Sequence, residues 1–331
     1  MATDRPVDAS PTRWSPGPAL RLHDPRHSLS PALYEIAVHS ENAPIVSVLV
    51  PCYNEENAID ETIRKLDGAL AVLERYEIIA IEDGSADRTL ERLEALRSGF
   101  PRLRVVRHDR NRGYGAALKT GMRHSDAELV AIIDADGTYP IDDLPKLISL
   151  ARDFDMVVGA RTGANVTYSA VRKIPKFFLH RWINWIVNQK IPDINSGMRV
   201  FRKDMAQKFV RILPNGFSFT ITITISALRN NYRVHFEPID YFARKGNSKI
   251  HPIKDTLRFV QIIGRTGMYF APLRILTPII LLLLAASALS LGYDAFVLQD
   301  MTEKSLVLLT MCLNVSIFAV LADMIDKRSD I

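Results

Sequence analysis

Two aspartates, Asp134 and Asp136, flank a single alanine at the end of a short apolar segment. Side chains alternate between the two faces of a β-strand, so residues two apart project to the same side and their carboxylates can share one hard cation. Such a cation neutralises the negative charge that a diphosphate gains as it leaves. The pattern predicts a site for a divalent cation, Mg²⁺ or Mn²⁺. Isolated Asp pairs more often lie in surface turns, and Asp142 and Asp143 are interpreted as a helix start.

Polar residues also follow two earlier apolar segments. Residues 51–55 read Pro-Cys-Tyr-Asn-Glu, and residues 82–85 read Glu-Asp-Gly-Ser. Open α/β sheets bind ligands at the carboxyl ends of their strands, so these groups belong where a nucleotide would lie. Taken singly, Asn54 is explained by a helix cap and Asp83 by a turn. Residues 111–115, Asn-Arg-Gly-Tyr-Gly, add a glycine-rich helix entry that permits close backbone approach to phosphate.

Short apolar segments alternate with amphipathic ones through the first half of the chain. The apolar segments are residues 45–50, 76–81, 103–106, 129–133 and 156–158. Helix-like stretches begin between them, near residues 55, 87, 113 and 141. This alternation predicts an α/β fold with a mainly parallel sheet and helices on both faces.

Two long apolar segments, residues 275–293 and 305–322, lie near the C-terminus. At 1.5 Å per residue the first is about 28 Å long, close to the thickness of a bilayer core. It carries no charge, and only Thr310, Asn314 and Ser316 interrupt the second. Two buried core helices are the alternative explanation, but a segment without a polar face favours a transmembrane hairpin.

The charges that flank the apolar segments predict an orientation. Basic residues stand on the outer flanks of the pair: Arg258, Arg265, Arg274, Lys327 and Arg328. The connecting turn carries Asp294, Asp300 and Glu303, with Lys304 as its one basic residue. Basic flanks remain on the cytoplasmic side of a membrane. We therefore expect an integral membrane protein with its catalytic region and both termini in the cytoplasm.

The chain has 331 residues and a net charge of +5, with basic residues gathered at 172–188 and 245–274. Both stretches also hold large apolar side chains, which is typical of a membrane surface, and no nucleic-acid-binding motif accompanies them. Cys52 and Cys312 lie in apolar segments and are interpreted as buried thiols. The predicted organisation is a flexible tail at 1–43, a catalytic domain at 44–250 with an interfacial helix at 172–188, a juxtamembrane amphipathic helix at 251–272, a hairpin at 273–324 and a cytoplasmic tail at 325–331.

The motifs, taken in order, resemble a known family. The segments VPCYNE, EDGSADRT, NRGYGAALKTG and DADGTYP resemble successive motifs of family 2 inverting glycosyltransferases of the GT-A fold. The later segments GARTG, DINSGMRVFRK and RKGNSK narrow the resemblance to dolichol-phosphate mannosyltransferases and bacterial polyprenyl-phosphate glycosyltransferases. It covers about residues 45–270 and implies transfer of one hexose from a UDP- or GDP-sugar to a polyprenyl or dolichyl phosphate, with inversion.

The resemblance also implies roles for individual residues. Donor contacts are expected from Pro51, Tyr53, Glu55, Asp83, Gly113 and Asp134. The metal and diphosphate are expected at Asp134, Asp136 and Thr138. The acceptor phosphate is expected at Arg161, Arg172, Arg244, Lys249 and Ser196. The expected catalytic set is Asp134, Asp136, Arg161, Arg172 and Arg244.

Three positions depart from the family pattern. Glu82 stands where relatives usually have a first aspartate, and Thr138 stands where many have a glutamine that completes the metal site. A hydroxyl can hold a metal-bound water, so metal binding is retained as a hypothesis. The third departure is residues 216–222, which lack the acidic residue often found there.

Three other functions are less consistent with the sequence. Processive polysaccharide synthases carry Gln-x-x-Arg-Trp, but Phe178 stands where the glutamine before Arg181 would be. A non-catalytic membrane scaffold would lose the metal carboxylates first, and both are present. A peripheral lipid-binding module is made unnecessary by the hairpin. Small residues of the first apolar segment, Ala285, Ala286, Ala288 and Gly292, would permit a homo-oligomer.

Overall fold

A computed structural model describes residues 45–163, 184–185, 189–242, 264, 267–269 and 271–328, with the side chains of 326–328 excepted. The predicted N-terminal tail lies outside the described residues, as do nearly all of the predicted interfacial helix at 172–188 and most of the juxtamembrane helix at 251–272. Three residues expected to bind the acceptor phosphate, Arg172, Arg244 and Lys249, also lie outside them.

The described part of the chain contains one seven-stranded sheet. Its strands are β1 (Val46–Cys52), β2 (Tyr76–Glu82), β3 (Leu103–Arg107), β4 (Leu129–Ile132), β5 (Met156–Ala160), β6 (Arg199–Arg202) and β7 (Val234–Pro238). They are ordered β3-β2-β1-β4-β6-β5-β7. Strand β6 is antiparallel to its neighbours β4 and β5, and every other pair is parallel. All five predicted apolar strands form, so the mainly parallel sheet is confirmed.

Helices cover both faces of this sheet. They are α1 (Ile59–Leu70), α2 (Thr89–Arg97), α3 (Tyr114–His124), α4 (Leu144–Leu150), α5 (Lys203–Phe209) and α6 (Phe219–Arg229). Helices α1, α2 and α4 pack on one face, and α3, α5 and α6 on the other. Alternation along β1 explains the division, since Val48 and Val50 enter the first core and Leu49 enters the second. Asp142 and Asp143 lie in a short 3₁₀ helix before α4, as predicted.

Two long helices follow the sheet domain, α7 (Pro272–Tyr293) and α8 (Glu303–Arg328), joined through a π-helical turn at Asp294–Leu298. Each is long and apolar enough to cross a membrane, with a mean hydropathy of 2.3 in both spans. Only 6% and 17% of their apolar windows are buried. A core helix of a soluble protein would be mostly buried, so these surfaces favour the predicted hairpin.

A small apolar cluster joins the start of α7 to the sheet domain. Ala271 and Ile275 pack there with Ile191, Ile194 and buried side chains of α6. The opposite side of α6 contributes Phe219 and Ile223 to the core of the sheet. Helix α6 therefore connects the beginning of the hairpin to the sheet. Both cysteines, Cys52 and Cys312, are buried thiols as predicted.

Candidate active site

The sheet brings the sequence motifs to one edge. Cys52 at the end of β1 pairs with Glu82 at the end of β2, and the Asp83 amide donates to the Cys52 carbonyl over 2.9 Å. Strand β6 runs the opposite way, so Arg199 at its start lies beside Ile132 at the end of β4. The segment before β6 therefore meets the Asp134–Asp136 turn. The predicted convergence of the motifs at this edge is observed.

The loops after β1 and β2 are bonded to each other. Asn54 has a positive φ of 57°, its amide donates to Ser85 Oγ over 3.0 Å, and its Oδ1 accepts from the Ala86 amide over 2.8 Å. The Glu55 amide donates to Thr89 Oγ1 over 2.9 Å. Asn54 is therefore not a helix cap, because it joins two loops. These hydrogen bonds hold the loop that carries Tyr53, which is 41% exposed, at the rim of the sheet beside the half-buried Pro51.

Asp83 is buried and acts as an internal acceptor. Its Oδ1 lies 2.6 Å from His108 Nδ1 and accepts from the Arg112 amide over 2.9 Å, while Oδ2 accepts from the Gly113 amide over 2.8 Å. The other ring nitrogen of His108 lies 2.9 Å from Thr120 Oγ1. These bonds use most of the acceptor capacity of a carboxylate, so Asp83 fixes the glycine-rich loop, and its contact with the donor remains a prediction. Sequence reasoning did not single out His108, although it directly follows β3.

The glycines of that loop serve packing. Gly113 has a φ of 97°, and a Cβ there would lie 2.6 Å from the Asn215 carbonyl oxygen. A Cβ on Gly115 would overlap the Pro214 carbonyl oxygen, and the Ala116 amide donates to Asn215 over 3.1 Å. The loop at 214–216 therefore lies directly on the start of α3. Donor binding by Gly113 remains a prediction, and its amide is already bonded to Asp83.

The two aspartates of the motif are half-buried and differently supported. Tyr114 Oη donates to Asp134 Oδ1 over 3.0 Å, and a Cβ on Gly197 would lie 2.5 Å from Asp134 Oδ2. Thr138 is fully buried, and its hydroxyl donates to Asp136 Oδ1 over 2.7 Å. Thr138 therefore orients the Asp136 carboxylate, and its role as a metal ligand remains a prediction.

The arrangement fits a cation that the protein holds by few ligands. Among the residues that the structure describes, no cluster of three or more His, Cys, Asp and Glu side chains is suited to a metal ion. Mg²⁺ usually takes one or two carboxylates and completes its shell with substrate phosphates and water. Asp134 and Asp136, which follow the end of β4 and are partly accessible, match that donor set.

Two neutral phenols lie near the Asp134 carboxylate. Burial raises the pKa of Tyr114 well above its usual value, and the negative charge of Asp134 raises it further. Burial and the same charge raise the pKa of Tyr139, whose hydroxyl oxygen accepts from the Gly197 amide over 2.6 Å. Both tyrosines therefore stay protonated at neutral pH, and the charge of this edge comes from its aspartates and arginines.

Arg161 is paired with a carboxylate that sequence reasoning did not consider. Its Nε and Nη2 donate to the two oxygens of Asp193 over 2.6 and 3.0 Å, and its amide donates to the same group over 3.2 Å. Burial alone would raise the pKa of Asp193, but the hydrogen bonds and charge of Arg161 outweigh it and lower that pKa. The Tyr241 ring lies 5.1 Å from the guanidinium carbon. Phosphate binding by Arg161 remains a prediction.

Arg199 is a second buried arginine, and sequence reasoning missed it. It has no exposed surface, its Nε and Nη2 donate to the Ser196 carbonyl, and its Nη1 donates over 3.0 Å to both Thr220 O and Thr224 Oγ1. Burial lowers the pKa of Arg199, against the favourable charge of Asp134 and Asp193. Ser196 Oγ is buried without a partner among the described residues. The only indication of Arg199 in the sequence is a basic residue inside the apolar segment 198–201.

Known proteins share this sequence and fold. The model of the family "Glycosyl transferase family 2" matches residues 47–210. The chain is 28% identical over 277 residues to the low-salt glycan biosynthesis hexosyltransferase Agl6 of Haloferax volcanii, covering 81% of this chain and 64% of that one. It is 30% identical over 192 residues to dolichol-phosphate mannosyltransferase of Pyrococcus furiosus, covering 54% and 52%. It is 32% identical over 187 residues to undecaprenyl-phosphate 4-deoxy-4-formamido-L-arabinose transferase of Pseudomonas aeruginosa, covering 53% and 54%. The matches thus span between half and two thirds of these relatives.

Solved structures share the architecture. Glucosyl-3-phosphoglycerate synthase from Mycobacterium tuberculosis, in complex with Mn²⁺, UDP and phosphoglyceric acid, aligns with a TM-score of 0.53 at 17% identity over 71% of this chain and 81% of that one. A mycobacterial protein aligns with a TM-score of 0.55 at 16% identity over 70% and 77%. At these identities the likeness concerns the fold, and it confirms the predicted GT-A architecture. Through its domain at residues 47–210, the chain belongs to glycosyl transferase family 2.

Proposed function

We propose that the protein transfers a single hexose from a UDP- or GDP-sugar to a polyprenyl or dolichyl phosphate at the cytoplasmic face of a membrane, with inversion. One observation supports this above all. A family 2 domain with two carboxylates at its strand edge is followed by two helices apolar enough to span a bilayer. The names of the relatives include dolichol phosphate and undecaprenyl phosphate, which supports a lipid acceptor.

The donor is assigned to the edge formed by β1, β2 and β4. Pro51, Tyr53 and Glu55 lie along its rim and are proposed to contact the nucleoside, while Asp134 and Asp136 are proposed to hold the diphosphate through Mg²⁺ or Mn²⁺. The cation supplies positive charge to the leaving diphosphate when it is bound. Thr138 and Tyr114 keep the two carboxylates in place through their hydroxyl bonds.

The acceptor is proposed to need no protein base. An alcohol must lose a proton as it attacks, but a phosphate monoester has a second pKa of about 6 and is largely ionised at neutral pH. Residues 217–222, where processive relatives place an acid, carry hydroxyls and no carboxylate. Thr220 and Thr222 in this stretch are buried in α6, and Thr220 Oγ1 donates to Asn195 Oδ1 over 2.8 Å. This chemistry favours a phosphate nucleophile.

Positive charge must overcome repulsion between the acceptor phosphate and the donor diphosphate. Arginine suits this task because its planar fork can hold two phosphate oxygens. We assign the acceptor phosphate to Arg161, Arg172, Arg244, Lys249 and Ser196. Arg161 would have to act while bound to Asp193 or exchange partners, which makes Arg172 and Arg244 the stronger candidates.

A charge-conserving substitution separates phosphate binding from simple attraction to the membrane surface. Arg244→Lys keeps the charge and loses the fork, so a bidentate contact predicts a large fall in transfer with donor binding mostly retained. Equal transfer by Arg244→Lys and the unmodified protein would assign Arg244 to the membrane surface.

The membrane position is proposed from the hairpin and its flanks. Arg274 Nη1 donates to the Trp185 carbonyl over 3.1 Å, and the Trp185 side chain is 44% exposed. A basic side chain beside an exposed tryptophan at the start of an apolar helix is typical of the water–membrane interface. We place the membrane surface there and the interfacial helix at 172–188 along it. If quenchers in the bilayer leave Trp182 and Trp185 fluorescence unchanged, this placement is wrong.

A donor screen tests the proposed reaction. The full chain in detergent is incubated with UDP- and GDP-hexoses, Mn²⁺ or Mg²⁺, and a short-chain polyprenyl phosphate, and the lipid products are weighed by mass spectrometry. The expected result is one lipid that gains one hexose from one class of donor. Products with several sugars would support a processive synthase, and no product with any donor would support a non-catalytic scaffold.

A further inference from the structure

Three polar side chains interrupt the apolar span of α8, and two of them are satisfied within the helix. Thr310 Oγ1 donates to the Leu306 carbonyl and Ser316 Oγ to the Cys312 carbonyl, each over 2.7 Å. The third, Asn314, is exposed, and none of the residues that the structure describes forms a hydrogen bond with its side chain. An asparagine amide has two N–H donors and one carbonyl acceptor. The described part of the monomer leaves these groups unsatisfied.

Asn314 stands at the middle of the span. The apolar helix that can cross a membrane runs over Glu303–Ile325, so Asn314 is the central residue. At 1.5 Å per residue it lies about 16 Å from either end, close to the midplane of a bilayer core of about 30 Å. Lipid tails offer no hydrogen-bond partner there, and water is scarce. A partner for the amide must come from protein at the same depth.

The hairpin itself cannot supply that partner. The buried residues of α8 recur every seven positions, Ser305, Cys312 and Ala319, and they mark the face that packs on α7. Asn314 lies about 160° around the helix from Cys312 and therefore points away from α7. The same outer face carries exposed apolar side chains above and below the amide: Val307, Met311, Phe318, Leu321 and Ile325.

We propose that this Asn314 face is an interface with α8 of a second copy of the chain, in which the two Asn314 amides exchange hydrogen bonds. An asparagine is complementary to itself because each amide both donates and accepts. Copies inserted with the same topology hold Asn314 at the same depth, and a two-fold axis along the membrane normal brings identical residues together. Interhelical asparagine bonds of this kind stabilise helix pairs in membranes. The proposal rests on the membrane insertion in the proposed function, but not on the reaction.

The test measures association of the full chain in phosphatidylcholine vesicles. Single-dye photobleaching across a range of protein-to-lipid ratios gives the dimer dissociation constant. Asn314→Leu should raise that constant about tenfold, since one interhelical hydrogen-bonded contact contributes roughly this factor. Thr310→Val is the matched control, because it is exposed one turn away on the same face with its hydroxyl already satisfied by Leu306, and it should change the constant by less than about twofold. Asn314→Gln, which keeps an amide, should restore part of the affinity.

Cross-linking locates the interface without removing the amide. With an added oxidant, Ile317→Cys, near Asn314 on the helix surface, should form a disulfide between copies. Leu309→Cys, about 140° away, should not. A wild-type chain that stays monomeric at every density, or an Asn314→Leu variant that dimerises as well as wild type, would overturn the proposal.

Two further measurements distinguish failure of the proposed Asn314 interface from failure of the proposed function. Carbonate extraction of the same vesicles reports whether the hairpin is inserted, and the hexosyl transfer assay reports the reaction. A loss of transfer with intact association would contradict the reaction alone.

Discussion

The sheet domain and the hairpin place their polar side chains in opposite ways. In the sheet domain, Asp83, Asp193 and Arg199 are buried and bonded to groups distant in sequence. In the hairpin, leucines and other apolar side chains face outward, and the hydroxyls of Thr310 and Ser316 return to carbonyls four residues earlier. Both patterns satisfy polar groups where water is absent. A polar residue left without such a partner, in the interior of the sheet domain or in the membrane, therefore indicates a ligand or another chain.

The largest effect is expected at Asp136, which is proposed to hold the divalent cation. Asp136→Asn keeps the shape of the side chain and its acceptor for Thr138, but removes the charge that would hold the cation. Turnover should fall about 100- to 10,000-fold, equivalent to about 3–5 kcal/mol of transition-state stabilisation. Steady-state transfer at saturating metal measures it. Asp142→Asn, an exposed aspartate at the start of a 3₁₀ helix, is the control and should remain active. Near-normal turnover of Asp136→Asn with metal chelated would remove Asp136 from the mechanism.

Arg199 tests how much a buried, hydrogen-bonded side chain stabilises the sheet domain. Arg199→Met fills a similar space but removes the side-chain donors to the Ser196 carbonyl and the bonds to Thr220 O and Thr224 Oγ1, which should destabilise the fold by about 3–5 kcal/mol. The control is Arg202→Met, three residues along, whose ion pairs with Glu128 at 2.6 Å and Asp155 at 3.8 Å are partly exposed and should contribute less than about 1 kcal/mol. Thermal unfolding of the full chain in detergent compares the two. Equal losses would mean that burial of Arg199 carries no special cost.

The pair of Arg161 and Asp193 adds a dependence on pH. A carboxyl whose pKa is lowered in the folded protein stabilises the fold above its unfolded pKa of about 3.9, and loses this contribution as the pH falls through the folded value. Asp193→Asn should therefore cost about 3 kcal/mol at pH 7, because it removes the buried negative charge that Arg161 binds through two side-chain hydrogen bonds. The difference from wild type should shrink below about pH 4. Unfolding temperatures measured from pH 7 to pH 3 check this, and a constant difference would show that the ion pair is not the cause.

The smallest changes in stability are expected for two glycines in helices. A Cβ on Gly115 would overlap the Pro214 carbonyl, whereas a Cβ on the exposed Gly68 of α1 would meet nothing within 4 Å. Gly115→Ala should destabilise the protein by about 1–3 kcal/mol. Gly68→Ala should stabilise it by about 0.5–1 kcal/mol. The unfolding temperatures of the two variants should move in opposite directions, and a shared direction would place the loop at 214–216 away from α3.

Local patterns predicted the elements well because they depend on neighbouring residues. Apolar runs separated by amphipathic stretches located the five parallel-sheet strands and both long helices, and strand-end polarity located the edge of the site. The partners of the charged residues were not predictable in this way. His108 meets Asp83 from 25 positions away, and Asp193 meets Arg161 from 32. Such pairs follow from the order of strands in space.

Two other features escaped sequence reasoning because the usual preference of a residue was overridden. Arginine is expected at surfaces, yet Arg199 is fully buried, since carbonyls just before β6 and in α6 satisfy its donors. Glycine-rich loops suggest phosphate binding, yet Gly113 and Gly115 admit the backbone of residues 214–216. In both cases contacts that form only in the folded chain decide the role of the residue.

A comparison of two acceptors tests whether the protein transfers sugar to a lipid phosphate. The full chain in detergent receives its nucleotide-sugar donor with either a polyprenyl phosphate or the matching polyprenol, and transfer is followed from pH 5 to pH 8. We expect a one-sugar product with the phosphate alone, and a rate that follows ionisation of the acceptor near pH 6 with no further essential group. Transfer to the polyprenol at a similar rate, or an essential ionisation that persists once the phosphate is fully ionised, would contradict it.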